Sequence, residues 1–204
     1  MRRRVRDGLA AGLVVLALTM SACGSSGGDA KFYGITHDAY KVLPDRLTDT
    51  GNKSFSLATD THKPLTLVFF GYTHCPDICP MVMSNLASAM TRLSADEQQK
   101  VQVIFVTTDP SRDTTAVLKR YLDHYNKSFL GLTGPIATIS KIAQPLAVYV
   151  AQGQKLPSGG YDLNTHSTQV TAIDADHKAR VLWEMSTSSA QYASDIRTLL
   201  SKAS

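Results

Sequence analysis

The twelve residues from Phe69 to Pro80, FFGYTHCPDICP, decide how the rest of this 204-residue chain is interpreted. They follow the apolar run 65–68, so the pattern predicts a buried strand over 65–70 that enters a turn. Pro80 favours the first position of a helix, where its missing N–H costs nothing. Cys75 and Cys79 are therefore expected where a strand passes into a helix, and the positive end of the helix dipole favours thiolates there.

The N-terminus has the pattern of a secretory signal. Four arginines among the first six residues precede an apolar run of 12 residues, Leu9 to Met20. That run suits a signal-peptide core and is short for a bilayer span. Cys23 follows Ser21 and Ala22, an order that resembles a bacterial lipobox, in which the cysteine is lipidated and becomes the mature N-terminus. Met20 departs from the leucine usual in such boxes, and the alternative is an ordinary secretory cleavage site with a spare cysteine.

These features predict three segments. Residues 1–22 are the signal peptide, residues 23–31 are the lipidated cysteine with a flexible Gly/Ser tether, and residues 32–204 form one folded domain. A diacylglyceryl cysteine carries two or more acyl chains, which anchor a protein stably to a membrane. We therefore expect a lipid-anchored protein on the extracytoplasmic face of the cell membrane.

The charge of the chain excludes one class of partner. The formal net charge is +4, but four of the 21 basic residues and one of the 17 acidic residues lie in the signal peptide. The mature protein thus carries a net charge of about +1, which gives no reason to expect a nucleic-acid partner. No phosphate-binding or dinucleotide-binding glycine pattern is present either.

The cysteine count leaves three kinds of chemistry open. If Cys23 carries lipid, only Cys75 and Cys79 remain, as a pair in an exported protein where thiols tend to oxidise. The local sequence is compatible with a disulfide, a redox couple or a pair of metal ligands. Their spacing differs from the two-residue spacing of thioredoxins, and Thr73 lacks the TxxC spacing typical of peroxiredoxins.

Hydrophobic periodicity predicts alternating strands and helices after residue 64. The first helix follows Pro80, Ser94 to Gln99 is a polar break, and Asp113 is expected to cap the helix that follows the next strand. Turn-forming residues at 36–38 predict a turn. Phe55 and Leu57 alternate with serines, which predicts a half-exposed strand near the sheet edge. The remaining predicted elements are strands at 101–106, 148–151, 168–174 and 181–185, and helices around 117–125, 136–146 and 192–200.

This alternation is typical of an α/β fold, and it predicts where the cysteine pair lies. The first strand–helix–strand crossover puts Cys75 and Cys79 at the carboxyl end of a central strand. Open α/β sheets bind their ligands at that edge.

The motif around the cysteines resembles the Sco/SenC family, thioredoxin-like copper proteins that serve cytochrome c oxidase assembly. The resemblance covers roughly residues 32–200, and its blocks occur in order: Phe69-Phe70-Gly71-Tyr72-Thr73, Cys75-Pro76-Asp77-Ile78-Cys79-Pro80, Asp109-Pro110 with Asp113, and His166-Ser167. The first two blocks are highly specific, whereas Asp-Pro or His-Ser alone would be weak. The turn after Asp174 lacks the glycine common there, and a lipobox replaces the transmembrane helix of many relatives.

The resemblance implies a thioredoxin-like α/β fold, with a central mixed sheet flanked by helices and an N-terminal β extension. It assigns Cys75, Cys79 and His166 as ligands of one copper ion, as Cu(I) and/or Cu(II). The implied function is that of a metallochaperone, not clearly an enzyme, which delivers copper to or matures the dinuclear copper site of cytochrome c oxidase. The implied partners are the copper-bearing oxidase subunit and a further copper donor.

Two alternatives stay open. The same pair of thiols could act as a membrane-anchored thiol-disulfide oxidoreductase on the oxidase cysteines, because a thiolate is both a nucleophile and a metal ligand. A plain copper-buffering or sensing module is the third class. Zinc would need a fourth ligand, for which His74 or Asp77 can be imagined. Asp77 and Asp109 are further expected to lie near the site, where they would tune the thiolates or dock a partner.

Overall fold

The computed structural model describes residues 31–150, 154–155, 161–162 and 167–203. The predicted signal peptide, Cys23 and His166 lie outside the described residues. No helix within those residues is long and apolar enough to cross a membrane.

Strands and helices alternate between residues 65 and 143, as predicted. An additional strand runs over Leu130–Thr133, and the predicted strand at 148–151 is reduced, in its described part, to a single bridge at Val150. The strands are β1 (Ile35–Lys41), β2 (Arg46–Asp49), β3 (Ser54–Ser56), β4 (Leu65–Gly71), β5 (Val101–Thr107), β6 (Leu130–Thr133), β7 (Gln154–Lys155), β8 (Tyr161–Asp162), β9 (Val170–Asp174) and β10 (Lys178–Trp183). The helices are α1 (Ile78–Thr91), α2 (Ala95–Gln99), α3 (Thr115–Tyr125), α4 (Ile136–Ala143) and α5 (Ser189–Lys202), with a short 3-10 turn at Gln144–Leu146.

Eight of these strands form one mixed sheet in the order β1-β10-β9-β4-β5-β6-β2-β3. Strands β4, β5 and β6 run parallel to one another, and β9 lies antiparallel to β4 on its other side. The remaining neighbours pair antiparallel, and β7 with β8 forms a separate two-stranded ribbon. The central strand β4 is buried along its whole length because helices cover both faces of the sheet.

Alternate residues of β4 face two separate cores. Leu67 and Phe69 join the core formed with α1, α3 and α5, whereas Val68 and Phe70 join the core formed with α4. This period-two division explains why the strand is apolar at nearly every position instead of alternating with polar residues.

The N-terminal β extension occupies both edges of the sheet. Strand β1 pairs with β10 at one edge, and β3 lies at the other edge, where the sequence predicted an edge strand. The turn predicted at 36–38 is wrong: these residues belong to β1, whose register against β10 is irregular between Thr36 and Tyr40. Leu57 is buried rather than half-exposed.

Segment 94–99 is also more ordered than the polar break that the sequence predicts. Ser94 and Glu97 form a capping box, in which each side chain accepts a hydrogen bond from the other residue's backbone N–H. This arrangement satisfies N–H groups at the start of α2 and explains why four polar residues and an alanine form a short helix.

A buried carboxylate fastens the beginning of the described chain to the C-terminal helix. Asp195 is fully buried in α5 and accepts hydrogen bonds from the backbone N–H of Tyr33 (3.0 Å), the backbone N–H of Gly34 (2.7 Å) and Trp183 Nε1 (2.8 Å). These three donors compensate the cost of burying the charge.

Ala147 offers a test of backbone strain. Its φ is 56°, and its side chain is exposed. The left-handed conformation costs an alanine about 1–2 kcal/mol, a cost that glycine avoids. Glycine is also freer in the unfolded chain, and this entropy offsets part of the stability that the substitution gains. Ala147→Gly should therefore stabilise the protein by about 0.5–1 kcal/mol in urea denaturation. Ala137→Gly, at an exposed position of α4, should instead destabilise it by a similar amount. Destabilisation by both substitutions would contradict the prediction.

Candidate metal centre

Three segments meet at one edge of the sheet. The parallel strands β4 and β5 end side by side, with Gly71 opposite Thr107, and the antiparallel strand β9 begins near the same edge, with Val170 opposite Phe69. The loop that carries Cys75, the loop after β5 and the segment 167–169 therefore share this edge. This is the edge at which the sequence predicts the cysteine pair.

Helix α1 begins two residues before the position predicted from Pro80. Its first residue is Ile78, so Cys75 precedes the helix and Cys79 lies in its first turn. The backbone N–H of Cys79 donates a hydrogen bond to Cys75 Sγ at 3.4 Å, and Asp77, at the capping position, makes no side-chain cap. Pro80 is tolerated as the third helical residue because the first four N–H groups of a helix lack intrahelical partners.

The two cysteines are neighbours across the start of α1, where the Cys79 N–H contacts Cys75 Sγ. Both thiols are free, and the Cys79 thiol hydrogen-bonds to the sulfur of Cys75. Cys79 is fully buried, whereas Cys75 is partly exposed. A ligand arriving from solvent therefore meets Cys75 first.

The surroundings of the two thiols drive their pKa values apart. Burial alone would raise the pKa of Cys75, but hydrogen bonds from the Cys79 N–H and thiol and from the N–H groups of Asp77 and Ile78 lower it below its ordinary value. Burial raises the pKa of Cys79, and the neighbouring Cys75 adds to this increase. Burial and the nearby Cys75 also raise the pKa of Tyr72 to about 12.

This difference predicts a pH-dependent order of chemical modification in the reduced, metal-free protein. A lowered pKa gives Cys75 more thiolate at a given pH, so iodoacetamide should label it at a lower pH than an unperturbed cysteine. Cys79 should stay protonated and unlabelled at neutral pH. Peptide mapping by mass spectrometry would measure the labelling rates of Cys75 and Cys79 over roughly two pH units on either side of neutrality. Labelling of Cys79 before Cys75 would contradict the prediction.

Gly71 lies directly behind the buried thiol. A Cβ atom at this position would lie 2.8 Å from Cys79 Sγ and 3.0 Å from Cε1 of Phe69. Gly71, the last residue of β4, therefore leaves room for the Cys79 sulfur, and a larger residue at this position would displace that sulfur.

Asp113 is not the helix cap that the sequence predicts. Thr114 takes that role, and its side chain accepts a hydrogen bond from the N–H of Val117. Asp113 is instead fully buried, where it accepts hydrogen bonds from Thr73 and Thr107. It thus links the loop of Cys75 to the loop that follows β5.

The two carboxylates expected near the site have different surroundings. Asp109 is buried after β5, where it accepts hydrogen bonds from Ser111 Oγ (2.6 Å) and Arg112 Nε. Asp77 is exposed, and its backbone N–H, rather than its carboxylate, acts on Cys75. Their proposed influence on the metal or on a partner stays a prediction.

The segment that leads into β9 is held to residues 146–149 by backbone and side-chain hydrogen bonds. Ser167 donates its N–H to the Tyr149 carbonyl at 3.1 Å, and its hydroxyl accepts from the Tyr149 N–H at 3.0 Å. Gln169 Nε2 donates to the Leu146 carbonyl at 3.1 Å. Across the residues that the structure describes, no three His, Cys, Asp or Glu side chains form a metal-binding group. The predicted third ligand, His166, is the residue before Ser167 and lies outside this part of the chain.

Sequence reasoning missed the residues that support the cysteines. Gly71, Thr73 and Thr107 do not have side chains typical of metal ligands. Asp113 fitted the local pattern of a helix cap, so the sequence predicted that role instead. The only sequence signal that pointed to Gly71 and Thr73 was their place in the motif block before Cys75.

The comparison with known families agrees with this geometry. The model described as SCO1/SenC matches residues 35–201 of the chain. The chain belongs to the SCO1/SenC family. The match spans β1 to α5, so it includes the cysteine pair and the loops around it.

Individual SCO1/SenC relatives are similar over most of the chain. A putative copper-binding protein from Stutzerimonas stutzeri is 33% identical over 142 residues, which are 69% of this chain and 68% of the relative. The structure of Bradyrhizobium japonicum ScoI with copper bound is 29% identical, with a TM-score of 0.66 over 81% of this chain and 99% of that one. Apo Sco1 from Thermus thermophilus is 28% identical, with a TM-score of 0.73 over 85% and 99%.

These structural matches confirm the predicted thioredoxin-like fold, a mixed sheet flanked by helices. The chain spans less than half the length of some mitochondrial relatives: the alignments cover 41% of the SCO2 homolog from Bos taurus and 44% of SCO2 from Saccharomyces cerevisiae.

Proposed function

We propose that this protein binds one copper ion through Cys75, Cys79 and His166 and delivers it to the dinuclear copper site of cytochrome c oxidase. The observation that carries the proposal is the pair of free thiols at the carboxyl edge of the sheet, which the hydrogen bond from the Cys79 N–H to Cys75 Sγ (3.4 Å) brings together. Its partners would be the copper-bearing oxidase subunit and a further protein that supplies the copper.

The donor set fits copper by its chemistry. Thiolates are soft ligands that favour Cu(I), and two sulfurs with one imidazole also suit Cu(II). The third donor rests on the family motif and on one structural support, since Ser167, the neighbour of His166 in the chain, is paired with Tyr149 at the edge that carries the thiols.

The named relatives add independent support. One is described as a putative copper-binding protein, and ScoI from Bradyrhizobium japonicum is described with copper bound. Delivery to cytochrome c oxidase follows from the role that membership of this family implies.

Assembly of the oxidase in a deletion strain tests the proposed delivery. Loss of this protein should reduce assembled oxidase, and added copper should restore part of it by mass action on the empty site. Normal oxidase in the deletion strain would reject delivery and leave a buffering or sensing role. A defect that copper does not relieve would favour the redox alternative.

One observation favours that alternative, a thiol-disulfide oxidoreductase. The partly exposed thiol of Cys75 has a lowered pKa and the buried thiol of Cys79 a raised pKa, which is the division expected of an attacking and a resolving cysteine. The metal-free protein would then reduce a disulfide of an oxidase subunit while Cys75 and Cys79 oxidise to a disulfide. Catalytic reduction in the presence of a copper chelator would support this activity.

The membrane attachment is a separate proposal. A lipid on Cys23 would hold the domain at the extracytoplasmic face of the cell membrane. Globomycin, which blocks cleavage of lipoprotein signals, should cause the uncleaved precursor to accumulate on gels of cell extracts. Normal processing under the drug would contradict lipidation and indicate an ordinary secretory signal.

A further inference from the structure

A fully buried carboxylate joins two loops at the edge that carries the thiols. Asp113 accepts three hydrogen bonds: from the Thr73 N–H at 2.9 Å, from Thr73 Oγ1 at 2.5 Å and from Thr107 Oγ1 at 2.7 Å. It has no exposed surface. Forty residues separate Asp113 from Thr73, so this is a tertiary link rather than a local turn.

Packing alone does not account for a charge at this position. A buried carboxylate is costly unless hydrogen bonds compensate it, and an apolar side chain of similar volume would fill the same space. The basic group that pairs with it is the exposed His74, whose Nδ1 lies 3.8 Å from Asp113 Oδ1. By accepting their hydrogen bonds, the carboxylate instead fixes the positions of the donor groups around it.

Those donors control the conformation of the loop that presents Cys75. Thr73 is held through both its backbone and its side chain, and the Cys75 N–H closes the turn by donating to the Tyr72 carbonyl at 3.3 Å. On the other side of the link, the Thr108 N–H donates to the Gly71 carbonyl at 2.6 Å. The loop is therefore fixed to the end of β5 immediately before the first thiol.

We propose that Asp113 is a positioning residue for the copper site. Through Thr73 and Thr107 it fixes the loop of Cys75, so that the Cys75 sulfur stays next to the Cys79 sulfur. The inference rests on the proposed copper binding. Asp113 itself does not bind the ion, and its effect should resemble that of other hydrogen-bond partners outside the ligands, whose loss typically costs about 10–100-fold in metal affinity.

The sharpest test compares two buried carboxylates. Asp113→Asn keeps the side-chain shape but replaces one acceptor oxygen with a donor NH₂ group. Asp195→Asn is the matched control, because Asp195 is equally buried and also accepts from three donors, none of which belongs to the loop of Cys75. In the full-length protein, Asp113→Asn should weaken copper binding about tenfold and shift the thiolate-to-Cu(II) absorption bands. Asp195→Asn should lower thermal stability and leave both copper measurements unchanged.

A second variant keeps the proposal testable if Asp113→Asn does not fold. Thr73→Val removes the hydroxyl group and retains the backbone N–H, so it should produce a smaller loss of affinity in the same direction. Wild-type affinity and spectrum in both variants would overturn the proposal, as would an equal change in Asp195→Asn.

A metal-free measurement separates this inference from the proposed function. The rate at which iodoacetamide labels Cys75 depends on the loop and needs no copper. If the wild-type protein binds no copper, the proposed function fails, and the positioning role is judged by this rate alone. A changed rate in Asp113→Asn and an unchanged rate in Asp195→Asn would support the role; equal rates in all three proteins would overturn it.

Discussion

Replacing either cysteine of the pair with serine should abolish tight copper binding. A serine hydroxyl stays protonated at neutral pH and is a hard donor, so it cannot replace a thiolate as a ligand of Cu(I). The affinity of Cys75→Ser or Cys79→Ser should fall by more than the roughly 10–100-fold that loss of an outer hydrogen-bond partner costs. Competition with a colorimetric Cu(I) chelator would measure the loss, and the thiolate-to-Cu(II) absorption should weaken in parallel.

The third cysteine supplies the control for this experiment. Cys23→Ser should bind copper as the wild-type chain does, because Cys23 is not among the proposed ligands. His166→Ala should still show thiolate-to-Cu(II) absorption, because both sulfurs remain, but the bands should shift and the copper affinity should fall. An unchanged affinity and spectrum in His166→Ala would remove His166 from the ligand set. Full binding by Cys79→Ser would reject the proposed site as a whole.

The position of the thiol pair could be predicted from sequence because its determinants are local. The apolar run before Gly71 defines a buried strand, and the residues after it define a turn and a helix start. The order of elements then puts the turn at the carboxyl edge of a parallel pair. None of these steps requires knowledge of a distant contact, which explains why they succeeded.

The supporting contacts could not be predicted because they depend on tertiary pairing. Asp113 and Thr114 both suit the cap of α3, and only the approach of Thr73 from a different loop decides between them. Residues 36–38 carry turn-forming side chains, yet pairing with β10 draws them into an edge strand. In both cases a long-range contact overrides a local preference.

Gly71→Ala should damage both the fold and the copper site. The new Cβ would lie 2.8 Å from Cys79 Sγ, 3.0 Å from Phe69 Cε1 and 3.2 Å from Phe105 Cε2, so the surrounding atoms must move. Overpacking of this kind typically destabilises a protein by about 1–3 kcal/mol. Because one of the displaced atoms is the buried sulfur, copper affinity should fall as well. Urea denaturation and chelator competition would measure the two effects separately.

Gly131 provides a control with nearly the same crowding and a different neighbour. A Cβ there would lie 2.8 Å from Thr50 Cγ2, 3.0 Å from Leu122 Cδ1 and 3.1 Å from Leu118 Cβ, and none of these atoms belongs to the thiol pair or its loop. Gly131→Ala should therefore cost a similar free energy of unfolding, about 1–3 kcal/mol, and leave copper affinity unchanged. Equal losses of affinity in the two variants would mean that copper binding follows overall stability. A loss confined to Gly71→Ala would tie the affinity to the position of the Cys79 sulfur.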